Sequence, residues 1–519
     1  MSSLHGVLDR VWTCCATGAV AVLLAACGSG TVQGTNFGGP GAGGGAAGTQ
    51  SNGGGGGSGA GPSTSTGKGG DGISVVTGDS GTTAPGACVN LQCNQTICTA
   101  GPCTQKPCAA GGKTTISGTV YDPAGKVPLY NVIVYVPNSA VAPIVNGASC
   151  DKCSAMAVNP VVSALTDTHG HFVLEDAPVG NNVPLVIQVG KWRRQITVAN
   201  VPACADTALT DINQTRLPRN RSEGDIPLIA ITTGGADSME CLPRRMGLDD
   251  SEFTTETGTG HIHLYAGMNN GNMTQATNQF APTLNGGAML TPATTVWGDV
   301  AHLKAYDIVI LSCEGALLQQ EKPVAARQAL YDYESLGGRV FASHWHRYWF
   351  SDGPMPVPTV GTWRDNNDPP TPIDGTIDTT FPKGMALSDW LVNVGASTTP
   401  GTLSILEARD NVQAVNGTIA QQWITIQAPA ARQVAAHTAV QFLSFNAPLG
   451  VPDAMQCGRA VFNDLHVSST GMDMPGQPFP MGCEVRDLTS QEKAVEFLLF
   501  DLSSCVQNDK VPPMPPVVK

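Results

Sequence analysis

The sequence predicts a multidomain chain: a small antiparallel β-sandwich, then an α/β doubly wound, mostly parallel sheet, both preceded by a disordered Gly-rich linker. Three observations predict it. Residues 28–87 hold 24 Gly in 60 positions and too little apolar surface to offset their ordering entropy. Residues 113–205 show short β-branched runs broken by Gly, Pro and Asp turns. From about residue 225, continuous apolar strands alternate with helical segments, the grammar of a sheet buried on both faces.

The first element is an export signal over 1–26. Asp9 and Arg10 precede a short apolar stretch, Ala16 to Ala26, about half the roughly 20 residues that span a bilayer. It ends in Leu24-Ala25-Ala26-Cys27-Gly28, which resembles the lipobox of bacterial lipoproteins. The resemblance implies that Cys27 is lipidated and that the protein is held to the membrane by an anchor, at an outer membrane or cell surface. Residues 27–87 are then a tether, spanning on the order of 40 Å as a random coil.

Residues 88–112 form a cysteine knob. Cys88, Cys93, Cys98, Cys103 and Cys108 recur every five residues, a spacing that matches neither zinc ribbons nor ferredoxins and reads as a disulfide framework. Five is odd, so a partner lies elsewhere, with Cys150, Cys153 and Cys204 as candidates. Sixteen Cys in one chain point to an oxidising compartment. With Cys27 lipidated, thirteen remain and one thiol is left over.

The sandwich occupies 113–205. The phrases "ISGTVYDPAGKVPLYNVIVYV", "TDTHGHFVLEDAPVG" and "PLVIQVGKWRRQITV" resemble the carboxypeptidase regulatory-like, transthyretin-like domain, a family that is usually non-catalytic. An insertion, Asn138 to Ser163, departs from that family and carries Cys150 and Cys153 at redox-motif spacing. Without a βαβ context they read as structural bridges. Lys191-Trp192-Arg193-Arg194 is either a partner patch or an exposed strand with one packed face.

The larger unit, 225–505, opens with the strand Ile226–Ile231 and continues with His261–Tyr265, Tyr306–Leu311 and Arg339–Ser343. A helix from about Pro323 to Leu336 stops at Gly337-Gly338, and Gln491 to Leu502 is a closing amphipathic helix. The order "YDIVILSCEG", "KPVAARQALYDYESLGGRVFASHWH", "GRAVFNDLHVS" resembles the ThuA-like branch of the class I glutamine amidotransferase-like fold, tied to sugar metabolism. Glutaminases of that fold carry a Cys on the turn after the strand matching Arg339–Ser343. Here the turn reads Ser343-His344-Trp345, so glutamine hydrolysis by that nucleophile is not expected. Residues 506–519 read as a loose Pro-rich tail.

Ligands bind at the carboxyl ends of strands in such sheets. Asp237, Cys313, Glu314, Ser343, His344, His346, Asp464 and His466 fall at such ends and are expected to converge on one rim. Three chemistries compete there. Trp345, Tyr348 and Trp349 could stack on a glycan or other envelope component. Cys313 or Ser343 could act as nucleophile with His344 or His466 as base. His344, His346 and His466, with Asp464 or Glu314, could hold a divalent metal, since His-x-His on a strand puts both rings on one face. The bland reading packs the histidines among the aromatics and pairs Cys313 with a cysteine such as Cys241. Cys457, Cys483 and Cys505 read as staples of the C-terminal region. A net charge of −13, with 28 Lys and Arg against 41 Asp and Glu, argues against nucleic acid. Binding or scaffolding at the envelope is the leading expectation, and a hydrolase on a sugar or amide bond or a purely structural role are the alternatives.

Overall fold

The computed structural model describes residues 105–153, 160–268, 275–365, 368–431, 434–467 and 473–518. The signal, Cys27, the tether, Cys88, Cys93, Cys98 and Cys103 lie outside the described residues. Among those described, the chain is a multi-sheet, mostly β protein with few helices, none of them long and apolar enough to cross a membrane.

Two small sheets face each other at the start. One has the order β4-β1-β7, from β1 (Thr115–Thr119), β4 (His171–Glu175) and β7 (Asp206–Leu209). The other has the order β3-β2-β5-β6, from β2 (Ile133–Val136), β3 (Val162–Leu165), β5 (Gly180–Val189) and β6 (Trp192–Val201). Strand β4 shows the expected alternation: Phe172 and Leu174 point inward while His171, Val173 and Glu175 face solvent. The pairing is antiparallel except between β1 and β7.

The large sheet is mixed rather than mostly parallel. A parallel half runs β11-β10-β8-β12-β13-β20, built from β8 (Ile229–Thr232), β10 (Ile262–Ala266), β11 (Thr291–Pro292), β12 (Ile308–Leu311), β13 (Arg339–Ser343) and β20 (Gly458–Asn463), with β9 (Phe253–Thr254) beside β10. An antiparallel half continues from β20 through β19 (His437–Ala447), β18 (Gln421–Ala428) and β15 (Ile373–Ile377) to β16 (Thr402–Ile405). A separate ribbon pairs β14 (Gly361–Trp363) with β17 (Val412–Val415).

Alternation along the parallel strands divides the core. Ile229, Ile231, Ile308, Ile310, Phe341 and Val461 join the cluster that holds the sandwich interior and Phe497, Leu498 and Phe500 of helix Ser490–Ser503. Ala230, Val309, Leu311, Val340, Ala342 and Phe462 face the other way, against Ala326, Leu330 and Tyr333 of helix Val324–Ser335. Sandwich and sheet therefore share one continuous apolar core. The Lys191–Arg194 stretch lies at their junction. Lys191 pairs with Asp307 at 2.5 Å, Arg193 with Asp225 at 2.8 Å, and Trp192 meets Phe500 edge-on at 5.8 Å. These side chains hold the two parts together.

Four disulfides staple this unit among the described residues: Cys108–Cys204, Cys150–Cys457, Cys153–Cys505 and Cys241–Cys483. Cys150 and Cys153 are structural bridges, as their context implied, but each reaches the far end of the sheet unit. The segment after 505 is not loose. Asp509 is buried and joins Lys383, Arg459 and Asp501, and the Pro516 carbonyl accepts a hydrogen bond from Ser163.

Candidate functional site

Adjacent parallel strands β8, β12, β13 and β20 all end at the same rim. The segments leaving them bring Asp237, Cys313, His344 and His466 together, as the strand-end argument predicts. Asp237 ties two of these segments, its Oδ2 accepting from Ser343 Oγ at 2.8 Å and its Oδ1 from the Val467 amide at 3.0 Å. Gly234 lets the segment after β8 approach the one after β12, since a Cβ there would lie 2.2 Å from the Cys313 carbonyl oxygen. The chain turns sharply at His344, which takes the left-handed φ of 42°. A residue with a Cβ pays about 1–2 kcal/mol for that conformation. The turn carries the His344 ring over the end of β12.

Cys313 is fully buried and is the one free cysteine among those described; Cys241, its expected partner, bonds Cys483 instead. Its Sγ lies 3.4 Å from His344 Nδ1 and accepts from the Gly315 amide at 3.4 Å. His344 Nδ1 also lies 2.9 Å from His466 Nε2. The three ligand atoms all fall within 4.8 Å of one another. On the far side of the His466 ring, Nδ1 lies 2.7 Å from Arg409 Nη2 and 3.6 Å from Glu407 Oε2.

Burial, His466 and Arg409 together push the His344 imidazole well below its usual range. Burial depresses His466 too, but the Cys313 sulfur, Glu407 and Asp237 outweigh it and raise the ring to about 10. Arg409 opposes the second proton that this value implies, because a guanidinium can only donate to Nδ1. The 2.7 Å contact disfavours a proton on Nδ1 and leaves Nε2 as the protonated nitrogen, facing His344.

The other expected residues hold the frame. His346 is not beside His344, because the strand ends at Ser343 and residues His344–Arg347 form a 3-10 turn that splays the two rings. Its Nε2 donates to the Ser312 carbonyl and its Nδ1 accepts from Trp349, both at 2.8 Å, so neither ring nitrogen is left for a metal. Glu314 is tied to Lys322 and the Met268 amide, each at 2.6 Å, and does not join the cluster. Ser343 bonds a carboxylate rather than an imidazole, which removes it as a His-activated nucleophile. Trp349 and Tyr348 are buried and offer no face to a sugar. Trp345 is half-buried, its ring 4.6 Å from that of His344. Asp464 is fully buried, its Oδ2 accepting from the Asn411 amide at 2.7 Å, and burial holds its carboxyl well above the usual range.

Sequence reasoning missed Glu407 and Arg409, which line the His466 side, and Asn411, whose side chain bonds the His344 ring. The signal was there: Glu407-Ala408-Arg409-Asp410-Asn411 is a dense polar run in a chain with only 13% charged residues.

No protein-family model and no curated protein matches the chain. Among solved structures it is similar to a ThuA-like protein from Bacteroides uniformis, at 12% identity over 46% of this chain and 82% of that one, with a TM-score of 0.27. It is also similar to two type II cohesin–X-dockerin complexes from Acetivibrio cellulolyticus. One is 17% identical over 27% of this chain and 75% of that one, with a TM-score of 0.14. The other is 19% identical over 26% and 85%, with a TM-score of 0.15. These likenesses are too slight to bear on the site, whose reading rests on the geometry above.

Proposed function

We propose that Cys313, His344 and His466 form a metal-binding centre with one thiolate and two imidazole ligands. One observation carries this. In a cysteine-hydrolase relay, the base turns one ring nitrogen to the sulfur and the other to the group that orients it. Here His344 turns the same atom, Nδ1, to both the sulfur and His466 Nε2, while the Asn411 side chain also bonds its ring. The thiol and the His466 Nε2–H both converge on the one Nδ1 lone pair, which can satisfy only one of them; with both protons displaced, the sulfur and the two ring nitrogens would hold a cation.

The spacing fits an ion. With metal–nitrogen bonds of ~2.05 Å, the 2.9 Å between the nitrogens subtends about 90° at the metal. With a metal–sulfur bond of ~2.3 Å, the 3.4 Å from sulfur to nitrogen subtends about 100°. Loading would release the thiol proton and move the His466 proton from Nε2 to Nδ1, which Arg409 must vacate, so affinity rises with pH. The metal-free alternative, Cys313 as a nucleophile, is favoured by its being unpaired among disulfides, and metal dependence separates the two.

The setting we propose is an envelope-anchored lipoprotein. Cys27 carries the lipid, a transthyretin-like sandwich leads, and the parallel half of the sheet is a doubly wound, ThuA-like unit. The lipobox-like Leu24–Gly28 supports the anchor. Helices on both faces and the β12–helix–β13 crossover support the doubly wound reading. A glycan reaching the rim would meet Trp345 as the half-exposed ring of the aromatic group.

The test is elemental analysis of the exported, oxidised full chain after incubation with zinc or copper and desalting. One equivalent of metal is expected, lost in Cys313→Ser and in His466→Ala. A chain that retains no metal from either ion, yet whose Cys313 is alkylated while folded, overturns the proposal in favour of the nucleophile.

A further inference from the structure

Resting on that reading of the site, we infer that Arg409 is a latch on the centre: it keeps His466 out of ligand form until the ring is handed to Glu407. The two ligand rings stand in opposite states. A metal-binding imidazole needs a bare nitrogen toward the ion and a proton on the other, held by an outer acceptor. His344 already meets this. Its Nδ1 faces the sulfur, which leaves Nε2 to bond the Asn411 side chain. His466 does not. Arg409 Nη2, which can only donate, lies 2.7 Å from its Nδ1, so the ring proton sits on Nε2, the atom that an ion would need.

The replacement stands beside the latch. Glu407 Oε2 lies 3.6 Å from His466 Nδ1 and 2.5 Å from Arg409 Nη2, so one carboxylate oxygen attends both groups. Arg409 also has a second anchor. Its Nη1 lies 3.8 Å from Oδ2 of the exposed Asp368. A swing of the guanidinium toward Asp368 frees Nδ1 for a proton, and Glu407 accepts the hydrogen bond. His466 then presents a bare Nε2 backed by a carboxylate, the arrangement that orients a histidine ligand and raises its basicity. The protons balance. His466 gives up the one on Nε2 and regains one at Nδ1, and the thiol proton goes to water, so each ion bound releases one proton.

The experiment titrates the exported, oxidised full chain with zinc sulfate against a chelator of known affinity. Arg409→Met removes the donor and keeps the stem, and affinity should rise at least about tenfold, the worth of a hydrogen bond to a charged group. Glu407→Ala should lower affinity about 10–100-fold. Charge alone would give the same two signs, so the deciding readout is the ring proton, followed by nitrogen-15 NMR of His466 in the metal-free chain. It should sit on Nε2 in the unmutated chain and on Nδ1 in Arg409→Met. A proton on Nδ1 in the unmutated chain overturns the latch without recourse to any variant. So does a proton that stays on Nε2 in Arg409→Met, or a fall in affinity in both variants, as loss of a merely structural ion pair would give. These outcomes leave the metal centre standing. Zinc bound by neither the unmutated chain nor Arg409→Met overturns the centre and the latch together.

Discussion

Replacing Asp509 with Ala tests the packing logic of the whole sheet unit. Asp509 belongs to a buried quartet. Arg459 Nη2 reaches Asp501 Oδ2 at 2.7 Å and Asp509 Oδ1 at 3.0 Å, and Lys383 Nζ reaches Asp501 Oδ1 at 2.6 Å and Asp509 Oδ1 at 3.2 Å. Exposure of the four side chains runs from 1% to 8%, and the charges sum to zero. Burial alone would raise the Asp509 carboxyl, but Arg459 and Lys383 outweigh it and hold it ionised below its usual range. At an effective dielectric of about 20, each contact near 3 Å is worth roughly 5 kcal/mol before desolvation. Desolvation removes much of this, and deleting one partner of a buried pair costs about 3–5 kcal/mol net. The assay is urea unfolding of the oxidised chain, read as a shift in midpoint at constant slope. Lys383→Met added to Asp509→Ala restores neutrality and should recover about 1–3 kcal/mol as a coupling energy. A cost below about 0.5 kcal/mol, typical of an exposed pair, or strict additivity of the two changes, would refute the reasoning.

Further outcomes follow from single features. Glu334 is fully buried, and burial raises its carboxyl to about 8, above its unfolded value. Its neutral form favours folding fully at acid pH, and that contribution fades as pH climbs from about 4.5 to 8, at up to ~1.4 kcal/mol per unit. Glu334→Gln should flatten this slope in denaturation curves, and an unchanged slope would exclude Glu334 as its source. Gly234→Ala drives a Cβ to 2.2 Å from the Cys313 carbonyl oxygen, which should cost about 1–3 kcal/mol and speed alkylation of Cys313; unaltered thiol reactivity would show that the rim tolerates the change. Cys241→Ser with Cys483→Ser removes a link across 242 residues and should cost about 2–5 kcal/mol by melting temperature and enthalpy. A melt that matches the parent would mean that this staple adds nothing to the fold.

What the sequence made legible was the rim. Four strand ends were readable from apolar runs, and the rule that ligands gather at carboxyl ends then named Asp237, Cys313, His344 and His466 together. The partners of those residues were not legible. Cys313 and Cys241 looked like a pair because pairing depends on which segments the fold brings together, and Cys483 meets Cys241 only after the chain returns from the far side of the sheet. His346 looked like a ligand because period-two alternation was carried beyond the strand end at Ser343, through the left-handed turn at His344. Most of the antiparallel half escaped for a different reason, although Val440 to Phe445 within β19 reads as a strand. Strands β15 and β16 are short and lie in a stretch rich in Pro and polar residues, where apolar periodicity is weak.

The stapling pattern has a consequence for how the molecule survives damage. Cys150 and Cys153 are three positions apart along the chain, yet they bond Cys457 and Cys505. A protease that cuts any exposed loop between 160 and 456 leaves two pieces still joined by both bonds. Such a nick would be silent on a non-reducing gel and appear only once the sulfurs are reduced. Where proteases are abundant, the fold around the rim should outlast such a cut, because no single break between 160 and 456 sets either half free.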